Sequence, residues 1–168
     1  MVMSMESEAH ETAKRLIKLL KTTFKPENVE VEILYDKFPK PAYRVWGRIC
    51  EGLFNLAIGS DTISLHLGLN WTKQAEFAYA HQWIGAQTLR RKPAYRKISK
   101  FWQMVERLKT IGYEDGGYDE NPYSFVMSMS HPTPVRFETP ESRERLITII
   151  RETIIIQKEE NPWAITEF

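Results

Sequence analysis

One cysteine, Cys50, in 168 residues excludes an intramolecular disulfide, so whatever fold forms must be held by its core. No apolar run approaches the roughly 20 residues that a membrane-spanning helix needs, and no membrane partner is expected. Met1 to Ser7 carries one acidic and no basic residue, unlike the positively charged start of a secretory leader, and the expected address is the cytoplasm. Nucleophile elbow, phosphate loop, dinucleotide glycine fingerprint and His-Glu-x-x-His are all missing, so no catalytic residue is assigned. His10, His66, His81 and His131 lie far apart, and no metal or cofactor is expected. Cys50 with His66 would make a nucleophile and base only if the fold joined them; a lone strand cysteine is ordinarily a small buried hydrophobe.

What is there is a chain with 42% hydrophobic and 12% aromatic residues, enough to bury a core and too many for disorder. One domain spanning residues 1–168 is expected, with a tail at 159–168. Ala9, Ala13, Leu16, Ile17, Leu20 and Phe24 recur at three- and four-residue steps and predict a first helix over 6–24. Strand periodicity follows over 29–35 and 43–50, then over 53–58 and 62–69 around a Gly59-Ser60-Asp61 turn. The acidic, glycine-containing stretch from Gly112 to Pro122 reads as a solvated loop, and Tyr123 to Ser130 as a fifth strand. Thr139-Pro140-Glu141 marks the start of the last helix through a cap, a first-turn proline and an acidic residue at the positive end of the dipole. The expected class is α+β, with an antiparallel sheet of about five strands and both terminal helices on one face.

Charge is unevenly spread. Lys73, Arg90, Arg91, Lys92, Arg96, Lys97, Lys100, Arg107 and Lys109 face only Glu76 and Glu106 within 72–111, a net +7 that the rest of the chain offsets to reach +1 overall. Pro93 splits this run into two helices inserted before the last predicted strand. Its basic residues interleave with Phe77, Tyr79, Trp83, Tyr95, Phe101 and Trp102, and charge with aromatics is the footprint of a nucleic-acid surface.

Tyr43-Arg44-Val45-Trp46-Gly47, Leu53 to Ile58, Ile63 to Gly68 and Val135-Arg136-Phe137 leading into a helix together resemble the YdhG-like domains of unknown function. The resemblance covers residues 6–70 and 122–157 and leaves out the basic run. It implies a frataxin-like helix-sheet-helix sandwich, some members being labelled iron chaperones, with a ligand or partner surface and no established catalytic residues.

Alternation provides a candidate surface. With Ile63, Leu65, Leu67 and Leu69 toward the core, Ser64 and His66 face the other way; Arg44, Trp46 and Arg48 share one side of their strand, and Ser124, Ser128 and Ser130 one side of theirs. If these sets meet, Arg44, Trp46, Arg48, Ser64, His66 and Ser128 form a platform for a small anionic or aromatic ligand. The alternatives are a nucleic-acid module using Arg90, Arg91, Lys92, Arg96, Lys97 and Lys100 within the 73–109 helices, and an adaptor binding a protein partner through its C-terminal tail.

Overall fold

The computed structural model describes residues 5–50, 52–72, 93–121 and 124–161, with backbone alone at 5–6, 70–72, 93–98, 118–121 and 124–126. Helix α1 (Met5–Thr23) buries Ala9, Thr12, Ala13, Leu16 and Leu20, the stripe its periodicity predicts. A 3-10 turn at Pro26–Asn28 leads into β1 (Val29–Asp36), and β2 (Ala42–Ile49), β3 (Gly52–Ile58) and β4 (Thr62–Thr72) follow as antiparallel neighbours. Helix α2 (Pro93–Thr110), β5 (Glu114–Asn121), β6 (Ser124–Ser130), the short β7 (Val135–Arg136) and α3 (Pro140–Glu159) complete the described elements.

The sheet order is β1-β2-β3-β4-β6-β5, with β7 paired to the start of β4. Strand β4 is the spine: β3 pairs with Ile63–Leu67 and β6 with His66–Thr72. Its Ile63, Leu65, Leu67 and Leu69 are buried together with Val45, Leu56, Met127 and Met129, and all three helices pack on this side through Leu16, Leu20, Phe101, Leu108, Leu146 and Ile150. Each such side chain contributes roughly 1.5–3 kcal/mol on leaving water. Thr139 caps α3 through a reciprocal pair of hydrogen bonds with Ser142, as the Thr-Pro-Glu signal predicts.

Two strands go beyond the predicted five. The acidic stretch expected to be a loop forms edge strand β5, because pairing with β6 satisfies backbone that its Asp-Gly-Gly sequence would otherwise leave wet, and a bulge between Asp115 and Gly117 absorbs the glycine pair. Strand β7 is the second addition. The inserted helical pair is described only in its second half, α2, whose Trp102 packs against the helix-side core. Trp83, Arg90, Arg91 and Lys92 lie outside the described residues, as do 162–168 of the expected tail; Glu160 instead closes α3 through a bond from its N–H to the Ile156 carbonyl. No helix among the described residues is long and apolar enough to cross a membrane.

Candidate functional site

The register brings the polar sets together. Glu32, Trp46, Asn55, His66 and Ser130 stand opposite one another in a row across β1, β2, β3, β4 and β6, on the sheet face away from the helices. Arg44 stands opposite Ala57, and Gly68 opposite Ser128. A shallow groove of about 330 Å³ lies between these side chains, with Arg44, Trp46, Asn55, His66 and Ser128 as its polar lining and Leu53, Ala57 and Gly68 as its apolar floor. It is a groove because Ala57 and Gly68 are small. A Cβ added at Gly68 has one neighbour within 4 Å, Leu53 Cδ2, at 3.6 Å.

Of the six predicted site residues, Arg44, Trp46, His66 and Ser128 line the groove, while Arg48 and Ser64 share the face but stand outside it, opposite Leu53 and Ala57. Asn55 is the addition. It alternates with the buried Phe54 and Leu56, so sorting β3 by its two faces as β2 and β4 were sorted exposes it.

The electrostatics differ from those of a bare guanidinium platform. Arg44 Nε lies 2.7 Å from Asp36 Oδ2, and its second terminal nitrogen donates to Asp36 Oδ1 at 3.2 Å, so its charge is already matched. Burial pulls the His66 imidazole below its ordinary pKa, which keeps it neutral near pH 7. Trp46 is 40% exposed and makes no ring contact or hydrogen bond among the described residues. Asn55 Oδ1 is buried without a donor among them.

The basic helix looks different once folded. Lys100 pairs with Glu160 at 3.1 Å, Arg107 with Glu159 at 2.6 Å and Glu160 at 3.3 Å, and Lys109 with Asp115 at 3.1 Å. Lys100 and Arg107, two of the cations counted over 72–111, are therefore paired with carboxylates at the C-terminal end of α3. For Arg96 and Lys97 only the backbone, in the first turn of α2, is described. A second depression, between α1 and α3, holds Arg143 and Arg151, but both guanidiniums are engaged: Arg143 donates to the carbonyls of Phe137 and Glu138, and Arg151 lies over the Phe24 ring. Cys50 sits past the end of β2 at φ 54° and His66 three pairs along the sheet, so the two do not meet. No three His, Cys, Asp or Glu among the described residues cluster as a metal site.

No family model and no curated protein matches the chain. A solved structure of an uncharacterized protein from Methanothermobacter thermautotrophicus is similar to it at 14% identity and a TM-score of 0.48, over 91% of this chain and 96% of that one.

Proposed function

We propose that this is a non-enzymatic binding protein of the YdhG-like type, which holds a small ligand in the groove on the sheet face opposite the described helices. The observation that carries the reading is Trp46: a large indole left 40% exposed, beside a half-buried imidazole and an unsatisfied amide. Isolated surface apolar residues are ordinary, but one that walls a depression with convergent polar groups is the usual makeup of a ligand site. In this reading Trp46 stacks, His66 and Ser128 donate or accept hydrogen bonds, and Arg44 with Asp36 forms a neutral end wall. The YdhG-like pattern, which implies a ligand or partner surface, points the same way. We place the protein in the cytoplasm, where a lone thiol stays reduced.

A thermal-shift screen of small metabolites tests this. Binders should raise the melting temperature of the wild type and lose that effect in Trp46→Ala, whose own fold is checked by circular dichroism. Hits that act equally on the mutant would remove the groove from consideration.

A further inference from the structure

Resting on the groove as the binding site, we infer that its ligand is an uncharged, flat heteroaromatic ring of nucleobase type, stacked on Trp46 and recognised at its edge by the Asn55 amide. Charge is the first reason. Asp36 already neutralises Arg44, and among the described residues no unpaired cation lines the groove, so an anion would find little to repay its desolvation. Shape is the second. Trp46 and His66 stand on strands separated by β3, about 9.6 Å apart at their bases, and a ring in van der Waals contact with a flat group on either side needs about 7 Å. Asn55 is the residue between them, opposite both.

The third reason is hydrogen-bond accounting. A buried Asn55 Oδ1 with no donor costs free energy that an exocyclic amino N–H of the base would recover once the amide turns toward the groove, with the amide N–H₂ donating to the neighbouring ring nitrogen. That paired donor and acceptor is how asparagine reads a purine edge. At about 330 Å³ the groove is at the small end of ligand sites, which suits a ring system with little appended.

The test is titration calorimetry with adenosine, inorganic phosphate and cyclohexanol as probes, on wild type, Trp46→Ala, Trp46→Phe, Asn55→Ala and Gly68→Val, each first shown to melt cooperatively. Adenosine should bind, with an affinity about tenfold or more weaker in Trp46→Ala, several-fold weaker in Asn55→Ala and nearly kept in Trp46→Phe. An oligodeoxyadenylate arm identifies the source: equal affinity per base means a free nucleoside, and tighter binding a base within a strand. Absence of adenosine binding at about 10 mM overturns the ring. Phosphate or cyclohexanol binding that Gly68→Val abolishes, with adenosine silent, overturns the ring yet leaves the groove as a site. Adenosine binding untouched by Trp46→Ala and Gly68→Val overturns both.

Discussion

Asp36 and Arg44 face each other diagonally across β1 and β2, with Nε to Oδ2 at 2.7 Å, and this pairing decides what charge the groove presents. Removing the carboxylate in Asp36→Asn frees a guanidinium at the end of the groove. The pair is partly exposed, so its loss costs about 1 kcal/mol or less of stability. Binding should change more: the mutant gains affinity for carboxylate or phosphate probes that the wild type ignores. Calorimetry on both proteins at low and high salt checks this, and equal anion affinity in the two would show that Asp36 does not set the charge.

Two glycines on neighbouring parts of the sheet should respond oppositely to alanine. Gly47 has φ 145°, and a Cβ there would collide with the Glu30 carbonyl and come 2.9 Å from Val31 Cα, in the strand pairing itself. Gly47→Ala must separate β1 from β2 or fail to fold, a loss of about 3 kcal/mol or more. At Gly68 the nearest atom is Leu53 Cδ2 at 3.6 Å, and Gly68→Ala should stay within about 1 kcal/mol of wild type. Urea denaturation of both variants measures the contrast.

The core stripes and the separation of faces were legible in the sequence because each rests on a period that a buried surface enforces: Leu16 and Leu20 on α1, Ile63 to Leu69 on β4. Strand β5 was not, since Glu114-Asp115-Gly116-Gly117 has poor strand propensity and owes its conformation to β6. Nor could the sequence show that Asp36 answers Arg44, or that Glu159 and Glu160 answer Arg107, for those meetings depend on register and helix packing rather than on any local signal. Of the nine cations counted over 72–111, those whose side chains are described, Lys100, Arg107 and Lys109, are each paired with a carboxylate.

The pairing of Lys100 and Arg107 is itself testable. In the Lys100→Glu, Arg107→Glu double mutant the α2 and α3 termini would repel, since Glu159 and Glu160 lose their cations and gain like-charged neighbours. These are surface pairs forming a small network, so a modest loss of stability is expected, shrinking in high salt. Retention on heparin should hardly move. A sharp drop in retention with unchanged stability would mean that these two residues face a polyanion rather than α3.

Acid should weaken the fold before the carboxylates titrate. His131 is wedged beside Gly112 and meets the edge of Tyr113 at 4.4 Å, and its Nε2 is buried without a partner among the described residues. Burial, then the Arg145 charge, lower its pKa below 6.5, against a smaller upward pull from its backbone bond with Ile111. His66 is lowered by burial as well. A group whose folded-state pKa is depressed prefers to be neutral in the fold, so its contribution is complete above 6.5 and drains away as pH falls toward the folded-state value. The melting temperature should therefore decline from about pH 7.5 to about pH 5.5, more shallowly in His131→Gln and most shallowly in the His66→Gln, His131→Gln double mutant. A profile flat for the wild type over that interval, or equally steep for all three proteins, would show that neither imidazole is held neutral by the fold.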